Sequence, residues 1–130
     1  MARVTGIGGL FLRAGDPGGL QAWYVEHLGL PAPDEQGVVI VRWGPGTGGS
    51  ESGSTVWAAF ADDTDYFGPT GQRAMFNYRV DDLDALRASL IERGVEVDDS
   101  VQELDGIGRF GWAVDPEGNR FELWEPAPGL

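Results

Sequence analysis

Cysteine and lysine are absent from this sequence of 130 residues, and histidine occurs once. Without cysteine there are no disulfides, thiolate nucleophiles or thiolate-held metals, and a cytoplasmic protein is expected. The lone imidazole, His27, falls near the end of an amphipathic helix. A solvent-facing side chain there is favoured by the partial negative charge of the helix C-terminus, and it speaks against a Ser-His-Asp or Cys-His arrangement. Long apolar runs are lacking too. The stretch Ile7 to Leu12 is too short to span a bilayer, runs into Arg13 and has no charged leader before it, so no membrane partner is expected. Every base is an arginine, nine against 21 acids, for a formal charge of −12. Such a chain repels phosphate backbones, which excludes nucleic acid as a partner class.

What is present is enough for a core. Hydrophobic residues make up 42% of the chain and include five tryptophans and six phenylalanines. The length is that of one ordinary domain.

The sequence repeats itself at a constant offset of 66 residues, which pairs Arg13 with Arg79, Asp16 with Asp82, Leu20 with Leu86, Ala22 with Ala88 and Glu26 with Glu92. Each copy reads as an alternating strand, an aspartate N-cap and an amphipathic helix. In the first, Leu10, Leu12 and Ala14 alternate with Gly9, Phe11 and Arg13. Asp16-Pro17 then opens a helix with Leu20, Trp23, Tyr24 and Leu28 at helical spacing, closed by Gly29. In the second, Phe76, Tyr78 and Val80 alternate with Met75, Asn77 and Arg79. Asp82 caps a helix striped by Leu83, Leu86, Leu90 and Ile91, and Gly94 ends it.

Strands follow each helix: Val38 to Trp43 and Thr55 to Phe60, then Val95 to Val97 leading to Glu103, Arg109 to Val114 and Arg120 to Trp124. The turn Asp115-Pro116-Glu117-Gly118-Asn119 joins the last two. The expected fold is α+β, a single domain of two βαβββ modules at about 5–60 and 73–126, with a linker at about 61–72. The Gly-rich stretch Gly44 to Gly53 contains a G-x-G-x-x-G match, but it holds Pro45 and leads into a strand. A dinucleotide loop must open a helix.

Three segments carry a family resemblance. They are Leu10 to Leu30, with Arg13, Asp16, Trp23-Tyr24 and His27-Leu28-Gly29-Leu30; Asn77-Tyr78-Arg79-Val80-Asp81-Asp82-Leu83-Asp84; and the ending Asp115 to Pro126. Together they resemble the vicinal-oxygen-chelate superfamily of glyoxalases, bleomycin-resistance proteins and extradiol dioxygenases. Thr55-Val56-Trp57 with Asp65-Tyr66-Phe67-Gly68-Pro69 is similar to an uncharacterised glyoxalase-like subgroup. The resemblance implies mixed sheets curled around a cavity, helices outside, and often a homodimer. It also implies metal ligands on the opening and closing strands. Those positions are Gly9, Met75, Val56 or Trp57, and Glu122, of which only Glu122 is a ligand type. No cofactor is therefore expected, a divalent metal with substitute ligands being the alternative.

Alternation places Phe11, Arg13, Met75, Asn77, Arg79, Glu122 and Trp124 on the inner face, with Trp57 and Trp112 as further candidates. That mixture suits a small molecule with an apolar body and a few polar handles. Glu122 is the acid–base candidate, or else a structural partner of Arg13, Arg79 or Arg120. Asn77, on a central strand, needs a partner such as Glu122, a water or a ligand. Tyr66-Phe67-Gly68-Pro69 reads as a lid over the cavity or as plain linker. Three functions stay open: metal-free binding of a small molecule, a lyase or isomerase using Glu122, and an assembly protein with no ligand.

Overall fold

The computed structural model describes residues 2–44, 53–69 and 71–130. The chain runs β1 (Val4–Ala14), α1 (Pro17–Leu28), β2 (Val39–Trp43), β3 (Gly53–Ala61), β4 (Ala74–Val80), α2 (Leu83–Glu92), β5 (Gln102–Leu104), β6 (Gly108–Val114) and β7 (Arg120–Pro126). One continuous mixed sheet, ordered β2-β3-β1-β4-β7-β6-β5, curls into a half-barrel. Its two halves repeat a motif: β1 lies parallel to β3 and β4 lies parallel to β7. The halves join through the antiparallel pair β1–β4, which makes the sheet continuous.

The first half differs from the expected βαβββ. Among the described residues only β2 and β3 follow α1. Where a third strand would lie, Pro31 and Pro33 precede a turn in which the Asp34 carboxylate accepts from the backbone N–H of Gln36 and Val38. Proline removes ladder donors, and an aspartate turn bends the chain away from a strand path. In the second half Val97 makes a single bridge to Ala113, and the paired edge strand begins only at Gln102. The loop with the G-x-G-x-x-G match lies largely outside the described residues.

Both helices start as their sequence dictates. The Asp16 carboxylate accepts from Gly19 N–H, and that of Asp82 accepts from Ala85 N–H. Gly29 and Gly94 take the left-handed conformation just past each helix, which costs glycine least. Helix α2 packs on the convex side of the sheet, where Leu83, Leu86 and Leu90 meet Val80, Leu123, Tyr78 and Phe121. Helix α1 covers the other half more loosely. Its Tyr24 ring lies 4.9 Å from that of Trp57, and no α1 side chain is fully buried. Trp23 and Leu28, expected in its apolar stripe, are exposed, and Trp23 stacks on His27 instead. No helix among the described residues is long and apolar enough to cross a membrane.

The closing hairpin is tied by Asp115, whose carboxylate accepts from Glu117 N–H, Asn119 N–H and the Asn119 amide. These bonds hold its pKa below the ordinary carboxylate range. The hairpin sets the register in which Trp112 faces Glu122, and the β4–β7 pairing sets Asn77 beside Glu122.

Candidate functional site

The concave face divides into a filled end and an open end. At the filled end Phe11, Ala58, Phe67, Met75 and Trp112 form a buried cluster. Phe67 comes from the linker and is completely buried. The Phe67 side chain thus anchors the segment read as lid or linker in the core, while Asp62, Asp63 and Asp65 beside it stay exposed.

At the open end lies a cavity of about 410 Å3. Ile40, Val56, Phe60, Ile107, Phe110 and Trp124 supply most of its apolar wall. Asn77, Tyr66 and Glu122 reach it from the filled end, and Ser54 and Leu130 border it on the far side.

Glu122 is 1% exposed and makes no ion pair among the described residues. Three neutral groups donate to it instead. Asn77 Nδ2 donates to Oε1 at 2.5 Å, Trp112 Nε1 to Oε2 at 2.9 Å, and the Tyr66 hydroxyl to Oε2 as well. Burial raises the Glu122 pKa above the ordinary range, with the three hydrogen bonds opposing that shift. The Tyr66 pKa is raised by burial and by the neighbouring carboxylate. Asn77 Oδ1 is buried and has no hydrogen-bond partner among the described residues. It points at Gly8, where a Cβ would sit 2.1 Å away.

The register of β1 against β4 slips between Ile7 and Gly9. This bulge turns both Gly8 and Gly9 toward the concave side. A Cβ at Gly9 would meet the Phe11 ring at 3.0 Å and Asn77 Cβ at 3.2 Å. The space of an imidazole at that position is taken by these two side chains.

The metal implied by the resemblance can be tested on this donor set. Gly9 and Val56 offer no side-chain donor, Met75 is packed in the apolar cluster, and both Glu122 oxygens are already engaged. No group of three or more His, Asp or Glu side chains converges among the described residues. These residues do not fit a divalent ion, which needs several hard or imidazole ligands.

The structure brings Phe11, Asn77, Glu122 and Trp124 to the cavity. Met75 and Trp112 stand one layer behind it, in the filled end. Arg13 lies over Phe67 on the concave side but does not line the cavity. Its guanidinium donates to the carbonyls of Gln72, Asp62 and Thr64, so it ties the linker down. Trp57 is a second correction: it faces the helix side, against Tyr24, because β3 presents Val56 and Ala58 inward. Arg79 sits at the open end, between the rings of Trp124 at 5.1 Å and Trp43 at 5.8 Å.

Sequence reasoning missed Tyr66 as a partner of Glu122. Periodicity says nothing about a linker side chain, although the cluster Tyr66-Phe67 was an available signal for burial.

The family model described as a glyoxalase-like domain matches residues 9–124. No curated protein matches the chain in sequence. Among solved structures, methylmalonyl-CoA epimerase from Mycobacterium tuberculosis is 25% identical at a TM-score of 0.63, covering 96% of this chain and 90% of that one. A Streptomyces coelicolor methylmalonyl-CoA epimerase variant in complex with 2-nitronate-propionyl-CoA is 19% identical at a TM-score of 0.69, over 96% of this chain and 99% of its own. A chain described as NAD-dependent benzaldehyde dehydrogenase from Legionella pneumophila is 10% identical at a TM-score of 0.59, over 92% of this chain and 98% of its own. At these identities the last two bear on the fold alone.

Proposed function

Because the chain belongs to the glyoxalase-like domain family yet keeps one carboxylate of the implied metal set, we propose that it binds a small, mainly apolar molecule on its concave face without a metal ion. The observation that carries this is the cavity of about 410 Å3, walled by apolar side chains and closed at one end by a carboxylate whose oxygens are already satisfied. Its size lies in the range of small-molecule sites, and a few polar groups in an apolar wall give orientation. In the same reading it acts in the cytoplasm, in keeping with a chain free of cysteine, and as a homodimer. An apolar strip of Ile7, Leu10 and Phe76, exposed on the outer face of β1 and β4, supports the dimer.

Tryptophan fluorescence tests the binding, since Trp124 lines the cavity. Chelator-treated protein is titrated with a panel of small aromatic and branched aliphatic compounds. Saturable quenching is expected, and is expected to vanish in a folded Val56→Trp protein whose cavity is filled. Binding that appears only after a divalent metal is added, or survives Val56→Trp unchanged, counts against the proposal.

A second reading is an isomerase in which Glu122 moves a proton. It is supported by the epimerase neighbours and by the raised Glu122 pKa beside the cavity. Glu122→Gln separates the two, because a binder keeps most of its affinity for a neutral ligand whereas an isomerase binds but no longer turns over.

A further inference from the structure

Arg79 stands behind Ser54, Trp124 and Leu130, which line the open end of the cavity, and its surroundings are unusual for a chain with 21 acids. It forms no ion pair with an Asp or Glu side chain among the described residues. Its Nη1 donates to the Ser54 carbonyl at 3.0 Å, and its Nη2 donates to the main-chain oxygen of Leu130 at 2.7 Å. The Ser54 hydroxyl also points at that oxygen, at 3.4 Å. The indoles of Trp43 and Trp124 flank the guanidinium. Ser54, Trp124 and Leu130 all line the cavity, and Ser54 is completely buried. The last residues of the sequence therefore lie against the open end, with an oxygen acceptor on the guanidinium and an aliphatic residue at the cavity wall.

This is the arrangement a bound carboxylic acid needs. Guanidinium forks favour two-oxygen anions, and the bond strengthens where water is excluded. Burial already lowers the Arg79 pKa, a penalty that an anion alongside it relieves. By contrast, Arg13 is committed to three backbone carbonyls and Arg120 to Asp98 and the Tyr66 carbonyl. We infer that the cavity takes an organic acid with an apolar body, its carboxylate held by Arg79 and Ser54 in the position of the Leu130 oxygen, with the segment Pro128 to Leu130 acting as a plug that the ligand displaces. The inference rests on the small-molecule reading above and adds the class of ligand. Glu122 stands at the opposite end of the cavity and repels a second acid group there, so the carboxylate has one place to go.

The test compares 4-phenylbutanoate with its neutral counterpart 4-phenylbutanamide, by titration calorimetry, on the full chain and on a chain ending at Ala127. Strand β7 ends at Pro126, so the sheet is kept. In the shortened chain the acid is expected to bind about tenfold tighter than the amide, and tighter than it binds the full chain. Arg79→Gln is expected to remove the preference for the acid while leaving the amide affinity. Arg79→Lys, which keeps the charge and covers the case in which Gln does not fold, is expected to retain part of the preference. Equal binding of acid and amide to the shortened chain, or a preference untouched by both substitutions, overturns the clamp and leaves the small-molecule reading standing. Binding of neither compound to any form overturns that reading and the clamp with it.

Discussion

Glu122 is held by three neutral donors and faces no cation at bonding distance among the described residues. Its raised pKa has a cost for stability. The folded protein takes up the proton more readily than the unfolded chain does, so the contribution of this group is greatest when it is protonated. Stability is lost as pH rises from the ordinary glutamate range through the raised folded value. Glu122→Gln removes that dependence. The thermal midpoint of the variant minus that of the parent is expected to grow with pH across this window, and a constant difference would contradict the burial argument. Asn77, Glu122 and Trp124 were legible in the sequence because strand alternation alone decides their side of the sheet. Trp57 was not, since its side depends on the exact phase of β3. Arg13 lies on the inner face, over Phe67, but linker carbonyls rather than the cavity take its guanidinium, which alternation does not foretell.

The two helices share a sequence pattern but are held unequally. Helix α2 buries Leu83 completely against Val80 and Leu123. Helix α1 has Gly18 and Gly19 in its first turn, buries no side chain fully and leaves Trp23 and Leu28 in solvent. Glycine weakens a helix interior by about 1 kcal/mol relative to alanine, and elements with little buried apolar surface open first. Hydrogen exchange is expected to release the α1 amides before those of α2. Asp16→Ala, which deletes the cap on Gly19 N–H, is expected to cost about 1 kcal/mol and to widen that gap. Slower exchange in α1 would show that something other than packing governs the order. The helices and the closing hairpin were legible because caps, glycines and turn residues act locally. That only two strands follow α1 among the described residues was not, because a strand exists only where a partner edge is within reach.

At the scale of the whole molecule, 21 acids against nine arginines crowd like charge onto a small surface. The described ion pairs are mostly exposed at their acidic ends, as with Asp62, Asp84 and Glu103, and such pairs offset little of this repulsion. Screening relieves repulsion between exposed charges over distances beyond about 8 Å at physiological ionic strength. The melting temperature is therefore expected to rise by a few degrees between low salt and about 0.3 M sodium chloride, measured by calorimetry. A fall would mean that attractive pairs dominate the surface. Curling of one continuous sheet, with Phe67 packed into one end, is what leaves a cavity at the other.

By itself the sequence determined the repeated strand–helix unit, the capped helices, the α+β class, the family resemblance and the poverty of metal ligands. Each of these depends on residue type and short-range spacing. Only the tertiary structure decided that Tyr66 meets Glu122, that Phe67 joins the buried cluster of the concave face, and that Arg79 lies beside two indoles at the open end. These contacts join residues far apart in the chain. Their geometry follows from sheet curvature and loop path, which local periodicity does not encode.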